Sequence, residues 1–156
     1  MEACEILSQT GKHARHADTL KRLGDIHTEE GACAEAEESY RHAQTIFLSL
    51  EDAHGEARVL IRLGVLYVRQ DRHDEAEECF AQARVAYAMV ADEDGEAEAL
   101  KSLMGVYFFQ RKFDDLKVAC MEACEMYTQR GQSMSDMCAH TWEFLQALEK
   151  LPPGLR

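Results

Sequence analysis

Residues 60–83 read LIRLGVLYVRQDRHDEAEECFAQA, and this stretch decides the fold. Leu60, Leu63, Gly64 and Tyr67 stand at i, i+3, i+4 and i+7, one apolar stripe of a helix. Phe80, Ala83 and Tyr87 repeat that spacing in the second half, after an interruption at Asp71-Arg72-His73. Asp74, Glu75, Glu77 and Glu78 open the second helix. Acid there suits the partial positive charge of a helix N-terminus, by roughly 0.3–1 kcal/mol each. The segment is an antiparallel pair of amphipathic helices with a short turn. One such pair cannot bury its stripe alone, so pairs must stack, and about three are needed for stability.

Working outward, the chain supplies them. Residues 57–96 shifted back by forty lie on residues 17–56 with thirteen identities. Ala17, Ala57 and Ala97 coincide, as do Leu20, Leu60 and Leu100, then Leu23, Leu63 and Leu103. Ala3, Ala43, Ala83 and Ala123 form a further column, and His27, Tyr67 and Tyr107 another. The expected fold is all-α, with about eight helices near 2–10, 14–30, 34–50, 55–70, 74–90, 95–110, 114–129 and 135–150. Gly55 and Gly95 are placed at helix C-termini, where positive φ suits glycine. The organisation read from this register is one array over 1–156. Residues 1–16 form the second helix of a partial unit. Units follow at 17–56, 57–96 and 97–134, then a capping helix and tail at 135–156. The last unit slips by two residues near Gly131-Gln132-Ser133, which brings Ala139, Trp142, Leu145 and Leu148 onto its stripe. The unmatched first helix at the start leads to the expectation of a fragment of a longer array.

The segments LKRLGDIHTEEGACAEAEESYRHA (residues 20–43) and LIRLGVLYVRQDRHDEAEECFAQA resemble the tetratricopeptide repeat. Its Leu, Gly, Tyr, Ala, aromatic, Ala signature is met by Leu63, Gly64, Tyr67, Ala76, Phe80 and Ala83. The first unit offers Leu23, Gly24, His27, Ala36, Tyr40 and Ala43; the third has Leu103, Met104, Tyr107, Leu116, Cys120 and Ala123. A forty-residue period resembles the long-repeat branch, which includes kinesin light chains, Pins-type adaptors and sensor arrays of signalling NTPases. The resemblance implies a right-handed superhelical solenoid of stacked hairpins. It also implies a protein- or peptide-binding scaffold or adaptor, part of a larger signalling or regulatory protein.

In such arrays the first helix of each unit lines a concave groove. The outward positions are Asp18, Lys21, Arg22, Asp25, Thr28 and Glu29, a net of −1. The second unit gives Arg58, Ile61, Arg62, Val65, Val68 and Arg69, a net of +3. The third gives Glu98, Lys101, Ser102, Gly105, Phe108 and Phe109, which is neutral. The three rows total +2, which against a formal charge of −12 leaves −14 for the rest of the chain. The groove is therefore expected to receive a segment carrying acidic side chains or a carboxylate. Arg58, Arg62 and Arg69 would supply charge-assisted hydrogen bonds, Ile61, Val65 and Val68 apolar contact, and Phe108 and Phe109 aromatic anchors. The alternative is internal pairing of these arginines with Asp18, Asp25, Glu29 and Glu98. The carboxylate clamp by which some repeats of this family hold chaperone tails does not fit Lys21, Asp25, Arg62, Glu98 and Ser102.

Net negative charge argues against nucleic acid and anionic membranes as partners. The longest apolar run, Val85 to Ala91, is too short to span a bilayer, and no secretory core precedes it. A cytoplasmic protein with reduced thiols is the expectation. No cofactor, metal or catalytic activity is expected. Cys120 and Cys124 stand four apart, but Cys120 falls in the core column of Tyr40 and Phe80. His13 and His16 read as surface residues, and Asp74-Glu75 and Asp92-Glu93-Asp94 as solvated helix starts. Met89, Met121, Met126, Met134 and Met137 read as packing residues. A second functional reading is a structural module that associates with its own copies through exposed end helices.

Overall fold

The computed structural model describes residues 2–129, 131, 143 and 146, with side chains from Gln9 onward. It contains α1 (Glu2–Glu30), α2 (Cys33–Ser49), α3 (Ala53–Arg69), α4 (His73–Met89), α5 (Glu93–Phe109) and α6 (Phe113–Gln129). The chain is all-helical over these residues. The helix expected at 135–150 lies outside them, apart from Glu143 and Gln146, both helical. The proposed two-residue slip, Met134, Met137 and Trp142 also lie outside.

Each helix from α2 to α6 is 17 residues long. The residues that stop the helices are Gly31, Glu51, Asp71, Ala91, Arg111 and Gly131, all at positive φ and spaced by twenty. The true structural period is thus half the sequence repeat. The stop is the same backbone device throughout. Asp52 N donates to Phe47 O at 3.0 Å, Arg72 N to Tyr67 O at 2.9 Å and Asp92 N to Tyr87 O at 3.0 Å. Bonds of shorter span, from the N–H groups of Glu51, Asp71 and Ala91 to the carbonyls of Leu48, Val68 and Ala88 at 3.1 Å, complete a Schellman motif at each end. Four of these six left-handed residues carry a side chain, which costs each about 1–2 kcal/mol.

Two expectations are corrected here. Residues 2–10 and 14–30 form one helix of 29 residues. Gly11 lowers helix propensity by about 1 kcal/mol, but without proline nothing breaks the ladder. Gly55 and Gly95 are not helix ends. They sit in the first turns of α3 and α5, where their N–H groups bond the N-caps Asp52 (2.9 Å) and Asp92 (3.0 Å). Glycine is needed because an aromatic ring fills the space a side chain would take. A Cβ at Gly55 would lie 2.3 Å from Phe47, and one at Gly95 2.3 Å from Tyr87.

The chain divides into two compact units, Met1–Ala99 and Leu100–Arg156. In the first, α1 packs on α2, α2 on α3 and α3 on α4. The signature glycines work within each hairpin. A Cβ at Gly64 would come within 2.5 Å of the Phe80 ring, and one at Gly24 within 2.5 Å of Tyr40. Ala57, Leu60, Leu63, Leu66 and Tyr67 are buried, as are Ala76, Phe80 and Ala83. The hairpins are joined by a polar clasp between α2 and α3. Tyr67 Oη donates to Glu37 Oε1 at 2.8 Å, and Arg41 Nη2 donates to Tyr67 Oη at 2.8 Å. Arg72 Nη1 bonds Glu37 Oε2 at 2.9 Å, with its guanidinium 4.3 Å from the centre of the Tyr67 ring. Burial alone would raise the Glu37 carboxyl. The hydrogen bonds from Tyr67, Arg72 and Arg41 outweigh it and hold Glu37 below its usual value of 4.5.

One stripe position departs from expectation. Leu63 and Leu66 are buried, whereas their counterparts on α1, Leu23 and Ile26, are 40% and 51% exposed. On α3 that flank is the side on which α2 packs; on α1 no described helix occupies the equivalent place.

In the second unit Leu100, Met104, Leu116, Ala119, Cys120 and Ala123 form a core, with Tyr107, Phe113, Cys124, Met126 and Tyr127 packed against it. This explains the looser third repeat. Where the second repeat pairs Gly64 with Phe80, the third pairs Met104 with Cys120, and both are buried. The large partner has moved to the other helix, and the total volume is nearly kept. Met126 packs as expected. Met89 and Met121 do not, being 77% and 46% exposed because they lie off the buried stripe.

Candidate functional site

The face built by α1 and α3 carries most of the residues expected to meet a partner. Heptad-like geometry decides which of them reach it. Ala57, Ile61, Gly64 and Val68 form one i, i+4, i+7, i+11 row, whose Ala57 and Gly64 are buried. Ile61 is therefore only 6% exposed and is a core residue, a correction to its placement in the groove. Lys21 holds the same place on α1 and is 8% exposed. Its stem is covered and its amine turns to Asp25 Oδ2 at 3.1 Å. Val65 and Val68 are half-buried, while Arg22, Arg58, Arg62 and Arg69 are exposed.

Asp25 is the hub of this face. Besides Lys21 it accepts Tyr40 Oη at 2.8 Å and pairs with Arg62 Nε at 3.5 Å. Tyr40 Oη lies 3.3 Å from Thr28 Oγ1, which itself donates to Gly24 O at 2.8 Å. Burial, with the Asp25 carboxylate beside it, pushes the Tyr40 phenol up to about 12, so it stays a donor at neutral pH. Arg58 Nη1 pairs with Asp18 Oδ1 at 3.5 Å. Arg69 makes no ion pair among the described residues. The internal alternative thus holds for Arg58 and Arg62 and not for Arg69.

These side chains surround a cleft of about 230 Å³, lined by Asp25, Thr28, Glu29, Tyr40, Arg62, Val65 and Arg69. Its charges balance, two acids against two arginines. The Asp25–Tyr40 bond was not foreseen, because Tyr40 occupies a core column that only its ring needs to fill. An aspartate one helix away from a tyrosine in a phenylalanine column is the signal that marks it.

In the second unit Lys101 is half-buried and Phe108 and Phe109 are exposed, their rings edge to face with centres 6.1 Å apart. Cys33, Cys79, Cys120 and Cys124 are thiols. Burial pushes Cys79 up to about 11, which leaves it protonated and a poor nucleophile at neutral pH. Among the described residues no helix is long and apolar enough to cross a membrane.

Antiparallel hairpins stacked in register, with an open polar cleft on the first-helix face, define a helical-repeat protein whose working parts are surfaces. Residues 15–88 match the tetratricopeptide repeat, and over that stretch the chain is similar to that family. Repeats of this family mediate protein–protein interaction and scaffolding, and the fold is a non-catalytic one. A similar solved structure is that of BtubC (BKLC) from P. vanneervenii, with a TM-score of 0.67 and 23% identity. The match covers 90% of this chain and 64% of that one, so this chain spans about two thirds of its length. At that identity the likeness is one of fold. No curated protein matches the chain.

Proposed function

We propose that the α1–α3 face binds a carboxylate-bearing segment of another protein, and that the chain works as a non-enzymatic adaptor within a cytoplasmic signalling or regulatory protein. The observation that carries this is the cleft around Arg62 and Arg69. Arg69 is exposed beside Val65 with no ion pair among the described residues. The Arg62–Asp25 and Arg58–Asp18 pairs are long, at 3.5 Å, and about half exposed, so each is worth no more than about 1 kcal/mol. Asp25 keeps Lys21 and Tyr40 when Arg62 swings away, so a ligand carboxylate can take Arg62 without stranding a buried charge. Val65 and Val68 add apolar contact, and Arg22 and Arg58 extend the basic rail. In the second unit Lys101, Phe108 and Phe109 are offered as further contacts.

A peptide-display selection tests this reading. Enriched sequences should be acidic with interspersed apolar residues. The R62E/R69E double reversal should weaken them at least tenfold, since each charge-assisted hydrogen bond contributes about 1.5–3 kcal/mol. Selected peptides that bind the double variant as tightly as wild type would refute it. A second reading, association between copies, is favoured by the half-exposed Leu23 and Ile26 on α1. Light scattering across a concentration series separates the two. Self-association without ligand that L23E/I26E abolishes would support it.

A further inference from the structure

The second-helix side of the first unit carries a different opening. Helices α2 and α4 both pack on α3. Between them runs a groove of about 800 Å³. Its wall is apolar. Phe47 and Ala86 are buried at the floor, while Leu48, Val85 and Met89 stand out at 52%, 61% and 77% exposure. None of these three belongs to the stripe that holds the hairpins together. These three apolar exposures line one cavity rather than being scattered, which is unusual for a surface that meets only water.

Charge selects the occupant. The polar lining is Glu51, Asp52, Glu56 and Gln82, with no lysine or arginine. Asp52 is engaged as the N-cap of α3. Glu51 and Glu56 have no ion-pair partner among the described residues. Two uncompensated carboxylates therefore border an apolar trough, on the part of the molecule that carries the excess negative charge.

We propose that the α2–α4 groove docks an amphipathic helix of another protein, its apolar residues seated on Leu48, Val85 and Met89 and its flanking lysines or arginines paired with Glu51 and Glu56. Helix-in-groove docking uses apolar anchors at i, i+3 and i+4. Exposed methionine suits such a surface because its unbranched side chain adapts to the shape it meets. A second copy is disfavoured, since each copy brings −12 and the same acidic rim. The site is separate from the α1–α3 cleft and of opposite charge preference, so the two stand or fall independently.

The test uses a synthetic amphipathic helix of leucine and lysine, with a leucine–glutamate version as control. Methyl NMR of the wild-type chain reads both faces at once. Expected are saturable shifts at Leu48, Val85 and Met89, with Val65 and Val68 unmoved, and weakening as salt rises. V85K/M89K changes only exposed side chains. It should keep its melting temperature and bind at least tenfold more weakly. E51K/E56K should lose the lysine helix and gain the glutamate one. Shifts confined to Val65 and Val68 would overturn the proposal. So would equal affinity in V85K/M89K, equal binding of the two peptides, or no shift at millimolar peptide. Concentration-dependent dimerisation abolished by V85K/M89K would give the groove to a second copy, and overturn it too.

Discussion

Moving the Met104/Cys120 arrangement into the second hairpin tests whether the two repeats are alternative solutions to one packing problem. The perturbation is G64M with F80C. Alone, G64M drives a side chain into a ring that a bare Cβ would already approach to 2.5, 2.7 and 2.8 Å at three of its atoms. Phe80 is 2% exposed and has little room to swing aside. Leaving glycine returns about 1 kcal/mol of helix propensity, but overpacking of this kind costs about 3 kcal/mol or more. Alone, F80C opens a cavity beneath Gly64 and should cost about 3–5 kcal/mol. Independent effects would sum to roughly 5–7 kcal/mol, close to the whole stability of a domain. The methionine, however, brings nearly as many heavy atoms as the phenylalanine loses, into the same space. The double variant should therefore be more stable than the sum by about 2–3 kcal/mol, the size of coupling between residues in contact. Urea unfolding followed by circular dichroism measures all four corners of the cycle, with unchanged m-values showing that the folded state is the same. Additivity to within about 0.5 kcal/mol would refute the swap, and with it the account of the third repeat.

Ala91 stops α4 at φ 54, so A91G should remove about 1–2 kcal/mol of left-handed strain. It also frees the unfolded chain by about 0.4–1 kcal/mol, leaving a net gain of about 0.5–1 kcal/mol and a higher melting temperature. Glu37 titrates below its usual value in the folded chain, so its contribution is present above about pH 4.5 and is lost as pH falls through the lower folded value. E37Q should lower stability at pH 7 and flatten the acid limb of stability against pH; an unchanged slope refutes the clasp. Tyr40 and Tyr67 are both pushed up to about 12, by burial first. Their contribution is full below pH 10 and is lost toward pH 12; Tyr87 is raised by burial too, so tyrosinate absorbance should show three late-titrating groups that vanish on unfolding.

The stripe Leu60, Leu63, Gly64 and Tyr67 was legible because helical periodicity and a forty-residue register both report it. Gly55 was misread because glycine serves opposite ends. It ends helices by adopting positive φ and starts them by leaving room for a ring, and only the position of Phe47 tells which. The half-period was hidden because Glu51, Asp71, Ala91 and Arg111 share a backbone conformation and no side-chain chemistry. Ile61 and Leu23 were assigned by helix face alone. Their burial depends on whether a neighbouring helix covers that face, which periodicity within one helix does not state. Of the α1–α3 site, the arginines were legible from charge. Asp25 as their hub was not, since Lys21, Tyr40 and Arg62 reach it from three separate places in the chain.

Evenly spaced stops make the chain a cut-and-paste object. Residues 52–91 begin with the aspartate that caps α3 and end with the residue that stops α4. Excising them would join Glu51 to Asp92, and Asp92 bonds Gly95 N just as Asp52 bonds Gly55 N. The seam would carry the same turn, the same cap and the same glycine, now beneath Phe47 in place of Tyr87. A cut of forty residues keeps every helix in its role, whereas a cut of twenty would hand first-helix duties to a second helix. Length change in this chain is therefore quantised, and a recombined gene that respects the step inherits joints with the same cap and the same stop.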